Sequence, residues 1–371
     1  MIDTSARSEM NGSERNFSFF LESDLMEIFE RSEKSLTKLS GRSVLVTGAA
    51  GFLGRYFIAT FQKYNKNNSN PIKIVAIDSH ITSRKLAKGD FRKKDPNIEW
   101  IYGDAEIGAQ LPENFDYIIH TAGIASPVHY QANPLKTIDV AVNATRALLD
   151  KAKELDARVL YFSSSEIYGD PAVNEIPTKE SYRGNVSSRG PRACYDESKR
   201  LGETLCWVYE NYYNVHVSVV RPFNIYGPGM LPDDYRVMPN FASSIITGKP
   251  IKVYGTGKQT RTFCYITDSI VSMLLILTEG DKPDVFNIGN PKPEISMLNL
   301  ANIMNSHTEL PVEVKLIDYP IQYPKDDPSR RCPDISKLTE TFKFTPKIEL
   351  EEGVNRFFSW ATENYKYIPV A

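Results

Sequence analysis

Short apolar and β-branched runs recur along the first 220 positions, at 43–46, 73–77, 99–102, 117–120, 159–162 and 215–220. Between them apolar residues return at three- and four-residue spacing, which predicts helices over 52–64, 134–155 and 194–213. Strands alternating with helices imply a parallel sheet covered on both faces, so the expected class is α/β, a Rossmann-type doubly wound parallel sheet. After Pro222 prolines and glycines cut the pattern into shorter elements, with helices near 237–247, 266–279, 296–306 and 350–365. This reads as a smaller C-terminal substrate-binding lobe. The expected organisation is an N-terminal extension over 1–41, a nucleotide-binding domain over 42–222 and a mainly substrate-binding lobe over 223–371, with a soft boundary at 222. Within the extension, 1–16 is polar and reads as disordered. Residues 19–39 read as one amphipathic helix carrying Leu21, Leu25, Ile28, Phe29, Leu36 and Leu39. That helix is expected to pack on the body of the protein; the sharper alternative is a dimer or partner contact.

The first run continues as Ser43-Val-Leu-Val-Thr-Gly-Ala-Ala-Gly-Phe-Leu-Gly54, with glycines at 48, 51 and 54. A strand that feeds a glycine turn opening a helix is a phosphate site: the helix N-terminus offers unpaired N–H groups and partial positive charge. Glycine lets the backbone approach the phosphates. Gly48, Gly51, Phe52, Leu53 and Gly54 are therefore candidate cofactor contacts. Asp78 ends the second run, where a carboxylate accepts from an adenosine ribose and repels a 2′-phosphate, so the expected cofactor is NAD rather than NADP. Ligands on such sheets bind at the carboxyl ends of the strands. Asp104 after the third run, Ala122 after the fourth and 163–166 after the fifth fall there.

Composition narrows the class. The chain has 371 residues, 41% hydrophobic, which is material for one large domain or two intimate ones. A net charge of -2 gives no polyanion-binding surface, and the basic cluster at 92–94 reads as a solvated loop, so no nucleic-acid partner is expected. No apolar run reaches the roughly 18 residues needed to cross a bilayer, and 1–16 lacks the apolar core of a secretion signal. Cys194, Cys206, Cys264 and Cys332 lack metal-ligand spacing. Reduced thiols, a cytoplasmic location and no metal are expected.

Tyr195 and Lys199 lie four apart at the start of a helical run and share a face. A phenol is a poor base at neutral pH, but a nearby ammonium and a positive nicotinamide ring would lower its pKa. Tyr195 can then take a proton from a sugar hydroxyl while the carbon is oxidised. Ser164 can bond the same hydroxyl or the developing ketone oxygen. Glu166 is a general acid or base, or a group that orders the sugar.

With Ala125-Ser-Pro-Val-His-Tyr130, Gly190-Pro-Arg-Ala-Cys-Tyr-Asp-Glu-Ser-Lys-Arg200, Phe223-Asn-Ile-Tyr-Gly-Pro228, Val253-Tyr-Gly-Thr-Gly-Lys-Gln-Thr-Arg261 and Arg331-Cys-Pro-Asp-Ile335, the chain resembles the extended short-chain dehydrogenases/reductases of the NAD-dependent epimerase/dehydratase group. It is most similar to the UDP-glucuronate decarboxylases, from about residue 42 to 360. The resemblance implies that Tyr195 is the catalytic base, Lys199 its activator and Ser164 the hydroxyl partner, with Ser165 and Glu166 matching a Ser-Glu pair. It implies diphosphate contacts from Arg236, Arg261 and Arg331, nucleotide-sugar contacts from Asn224, Asn240 and Tyr254, and substrate contacts from Ser126 and Tyr130. It also implies a homodimer through the helices at 134–155 and 194–213. The implied reaction oxidises C4 of UDP-glucuronate transiently, loses carbon dioxide and yields UDP-xylose. Two departures fall where the sugar is read: Gly123-Ile-Ala-Ser-Pro127 in place of Ser-Pro-Ala-Ser-Pro, and Arg183 in place of a tryptophan. A 4,6-dehydratase or 4-epimerase acting on a UDP-, GDP-, CDP- or dTDP-sugar stays open as an alternative, although serine at 165 is a poor acid for dehydration. A non-catalytic NAD-binding regulator is the remote alternative, since such proteins commonly lose the Tyr/Lys pair.

Overall fold

In a computed structural model that describes residues 17–82, 95–319 and 328–367, all six expected strand runs form and lie in one sheet. The disorder expected for 1–16 and the basic loop at 92–94 lie outside the described residues. The strands are β1 (Ser43–Thr47), β2 (Lys73–Asp78), β3 (Ile98–Tyr102), β4 (Tyr117–His120), β5 (Arg158–Phe162) and β6 (Val217–Pro222). A seventh, β7 (Val285–Ile288), joins them, in the order β7-β6-β5-β4-β1-β2-β3, every pair parallel. Helices cover both faces, so Val44, Leu45 and Val46 are all fully buried and the run needs no alternation. The strand order turns back between β4 and β1, which opens a crevice at their carboxyl ends.

Two strands of the sheet depart from expectation. β6 begins at Val217 instead of 215, because Val215 closes the preceding turn with its N–H on the Tyr209 carbonyl at 3.1 Å. β7 was not expected at all. Its middle residue, Asn287, is polar yet fully buried, with its amide donating to the carbonyls of Thr178 and Asp334, each at 2.9 Å. Those long-range partners are invisible to hydrophobic patterning. Because β7 returns from the C-terminal half, residues after 222 complete the sheet and the two expected domains interpenetrate.

The helices are α1 (Glu22–Arg31), α2 (Glu33–Lys38), α3 (Phe52–Lys66), α4 (Pro127–Ala132), α5 (Pro134–Leu155), α6 (Ala193–Tyr213), α7 (Val237–Ile246), α8 (Ile266–Glu279), α9 (Met297–Ser306), α10 (Ser336–Phe342) and α11 (Leu350–Asn364). The single helix expected over 19–39 is two, broken at Ser32, whose backbone leaves the helical region at φ -112° and ψ 10°. Leu25, Ile28, Leu36 and Leu39 are buried, and the pair packs on α3 and α8 of the body. In the C-terminal lobe, Thr260–Arg261 lies between Ile295–Ser296 and Arg330–Arg331 in a small sheet. No helix of the described residues is long and apolar enough to cross a membrane.

Candidate active site

The crevice between β1 and β4 is built mostly from backbone. Gly48 takes φ +70°, and a Cβ on it would lie 2.6 Å from the Ala122 nitrogen across the crevice. A Cβ on Gly54 would lie 2.2 Å from the Gly48 carbonyl oxygen, closer than real Cβ atoms come. Only glycine lets the turn and the first turn of α3 pass this closely. Asp78 braces the turn: its carboxylate accepts from the Ala50 N–H at 2.9 Å and the His80 N–H at 2.7 Å.

A cavity of about 760 Å³ opens along this crevice, lined by the 48–54 turn, Asp78, Asp104 and Ala122. Asp104 is also ion-paired to Lys136 at 2.6 Å. Volume, glycine cradle and carboxylate fit a dinucleotide, with a diphosphate at the start of α3 and a ribose at Asp78.

Behind the cavity wall at Gly123, α6 carries Tyr195 and Lys199, both buried. Ser164 lies near enough to the Tyr195 hydroxyl to lower its pKa, while its own Oγ accepts from the Glu166 N–H at 3.2 Å. Burial pushes the Tyr195 phenol up; Ser164 pulls it back, Asp196 pushes it further, and the Arg236 and Arg192 guanidiniums oppose that. The net direction is up, against the expectation that Lys199 lowers it. The Lys199 ammonium is committed to the Phe162 carbonyl at 2.6 Å, and its own pKa is pushed down to about 8, chiefly by burial. It still flanks the cavity, since a Cβ on Gly123 would lie 3.2 Å from its Nζ.

Glu166 follows Ser164 and Ser165 into a short 3-10 turn (Ser165–Tyr168). Its carboxylate is ion-paired with both Arg192 and Arg331, one Arg331 bond measuring 2.7 Å. Arg192 also reaches Asp196 at 3.2 Å. Arg331 thus turns toward the carboxylate next to the Tyr195–Ser164 pair. Arg192 had been given no role; its signal in the sequence was a cation three residues ahead of Tyr195, at the mouth of the same helix.

The remaining candidates divide. Ser126 and Arg236 line the cavity, Ser126 donating to the Asp234 carbonyl at 3.1 Å and Arg236 pairing with the Asp234 carboxylate at 2.5 Å. Tyr130 does not face open space. It is 2% exposed, with its ring parallel to that of Tyr195 at 5.4 Å, so it backs the tyrosine. Arg261 is the direct register partner of Arg331 on the neighbouring strand. Asn224 is occupied in the fold, donating to the Thr262 carbonyl at 2.8 Å, while Asn240 is exposed on α7. Tyr254 stacks on Tyr319, ring centres 5.6 Å apart.

The chain is similar to known proteins over most of its length. Residues 44–289 match the model of the NAD dependent epimerase/dehydratase family. UDP-glucuronic acid decarboxylase 6 of Arabidopsis thaliana is 40% identical over 318 residues, 85% of this chain and 87% of that protein. Among solved structures, an epimerase from Methanothermobacter thermautotrophicus superposes with a TM-score of 0.77 at 24% identity, over 93% of this chain and 96% of that one. The dTDP-glucose 4,6-dehydratase DesIV of Streptomyces venezuelae, solved with NAD bound, gives 0.76 at 23% identity, over 88% and 98%. These two share the fold.

Proposed function

The chain belongs to the NAD dependent epimerase/dehydratase family, and from that premise we propose that it is an NAD-dependent enzyme that oxidises a nucleotide-diphosphate sugar transiently at C4 and decarboxylates it, converting UDP-glucuronate to UDP-xylose. NAD would be held by the 48–54 turn, Asp78 and Ala122. When bound, it supplies a reversible two-electron acceptor and a positive ring charge.

The chain's own groups do the rest. Tyr195, its buried phenol brought down by the positive ring charge that bound NAD would supply, takes the C4 hydroxyl proton, with Ser164 sharing that oxygen. A ketone at C4 makes the sugar a β-keto acid, whose loss of carbon dioxide leaves electrons on the same oxygen as an enolate. Tyr195 and Ser164 then stabilise that oxyanion as hydrogen-bond donors. Glu166, once a substrate carboxylate displaces it from the arginines, would be free to take up a proton and return it at C5.

The observation that carries the reading is the cluster of Glu166 with Arg192 and Arg331. Guanidiniums are forks of fixed donors matched to carboxylates. Both are held by Glu166 in this structure, so a sugar carboxylate would take its seat by exchanging with Glu166 on the two guanidiniums, a partner that a neutral hexose does not offer. Kinship with UDP-glucuronic acid decarboxylases at 40% identity supports the same substrate. We further propose a homodimer through α5 and α6, which expose Leu135, Leu201, Trp207 and Tyr212, and a cytoplasmic location suited to four free thiols.

The test is incubation of the NAD-loaded protein with UDP-glucuronate, following carbon dioxide and product mass. Release of carbon dioxide with a UDP-pentose is the expected result. Absence of reaction overturns the decarboxylase reading. UDP-, GDP-, CDP- and dTDP-hexoses then decide between dehydration, seen as loss of water, and epimerisation, seen as unchanged mass.

A further inference from the structure

The N-terminal extension lies outside the family match, which begins at residue 44, yet it reaches the wall of the cofactor cavity. Residues 17–20 form a strap. One end is fastened to α11: the Ser18 N–H donates to Asn364 Oδ1 at 2.9 Å, and the Trp360 indole N–H donates to the Ser18 carbonyl at 2.7 Å. The Phe17 ring packs edge-on against Trp360.

The other end meets α3. The Arg55 guanidinium carbon lies 3.8 Å above the centre of the Phe19 ring, and both residues are 3% exposed. Phe20 packs edge-on against Tyr56 at 4.9 Å, and Tyr56 in turn against Phe52 at 5.9 Å. The Phe19 carbonyl presses on Gly229, where an added Cβ would lie 2.9 Å from it. Phe52, Arg55 and Gly229 all line the cavity.

Arg55 is the residue directly after the last glycine of the turn. A long cationic side chain buried in a cavity wall needs a face to hold it, and an aromatic ring supplies one by cation–π attraction, which strengthens when water is excluded. We propose that the N-terminal extension is a cofactor-retaining element: the strap positions Arg55 so that its cation serves the diphosphate of the bound dinucleotide. Phe19 is then a positioning residue and Arg55 a binding residue. The proposal rests on the reading that this cavity takes NAD.

The experiment measures dissociation constants of NAD, ADP-ribose and adenosine for the full chain and for Phe19→Leu, Arg55→Gln and the double variant, by calorimetry, beside each melting temperature. Failure of the unaltered chain to bind NAD would overturn the cavity reading itself. Given binding, Arg55→Gln and Phe19→Leu should each weaken NAD and ADP-ribose about tenfold, leave adenosine unchanged, and be no worse together than Arg55→Gln alone. Equal NAD affinity in either single variant, or equal weakening of adenosine, overturns the proposal and leaves the strap a purely structural element. Should Phe19→Leu fail to fold, Arg55→Lys carries the test. It keeps the charge but lacks the planar face, so an intermediate loss is expected and an unchanged affinity overturns the stacking role.

Discussion

At the β1 end of the crevice the site is made of backbone, whereas at the α6 end it is made of side chains. Gly48, Gly51 and Gly54 act by having no Cβ, and Asp78 holds the turn through two backbone N–H groups. Opposite them, Glu166, Arg192 and Arg331 are joined by charge, and burial pushes the Tyr195 phenol up. A backbone site is specified over a dozen consecutive residues and fails all at once when one atom is added. A side-chain site is assembled across the chain and should fail in steps, each visible in turnover while cofactor affinity stays intact.

The sharpest break of this contrast is Gly54→Val. Its first added carbon would sit 2.2 Å from the Gly48 carbonyl, which belongs to rigid backbone and cannot swing aside. We expect loss of measurable NAD binding by calorimetry and a destabilisation of about 3 kcal/mol or more in urea unfolding, at the upper end of overpacking costs. NAD binding within a few-fold of the unaltered chain would show that the turn is not the diphosphate cradle.

Glu166→Gln tests the other end. Removing one charge leaves two nearly buried guanidiniums facing a neutral amide, with side-chain exposures of 10% for Arg192 and 6% for Arg331. Breaking a buried pair this way costs about 3 kcal/mol, less where water still reaches the carboxylate, as it does here. Turnover of UDP-glucuronate should fall about a hundredfold, within the usual range for an acid–base group, while the NAD dissociation constant stays within twofold. If turnover survives, Glu166 only orders the arginines. If NAD binding falls with it, the two ends are not separable.

The same contrast explains what was legible beforehand. The parallel sheet, the glycine turn and Asp78 were readable because each is a local pattern. Helix sharing placed Tyr195 and Lys199 together. Glu166 was readable as a carboxylate at a strand end, but its partners lie 26 and 165 residues away, so the cluster was not. Arg331, expected at the diphosphate, is also ion-paired to Glu166, a partner that the local sequence did not reveal. Tyr130 was read as a substrate contact because the stretch around it matched, yet its ring is spent on Tyr195. β7 was hidden by Asn287, and the role of the extension by the distance between Phe19 and Arg55. In each case the missing information was a tertiary partner, which periodicity does not encode.

The smallest expected effect concerns the stability cost of the side-chain end, carried by Lys199. Burial lowers its pKa to about 8 from 10.5. Below pH 8 the folded and unfolded chains both hold this proton, so the cost of the buried charge is fully present. Between pH 8 and 10.5 the folded chain gives the proton up while the unfolded chain keeps it, so folding stability gains over that window and levels above it. Over pH 7 to 9.5 the gain from this one group is about 2 kcal/mol. Other groups titrate in the same interval, which makes Lys199→Met the proper reference. Its urea-unfolding free energy should lack this rise, so the unaltered chain improves relative to the variant as pH increases, while the variant loses turnover at every pH. Parallel pH profiles for the two would mean that Lys199 holds its proton normally in the fold. The glycines of the cofactor turn offer no counterpart to this experiment, since they act through the space a side chain would fill and not through a titratable group.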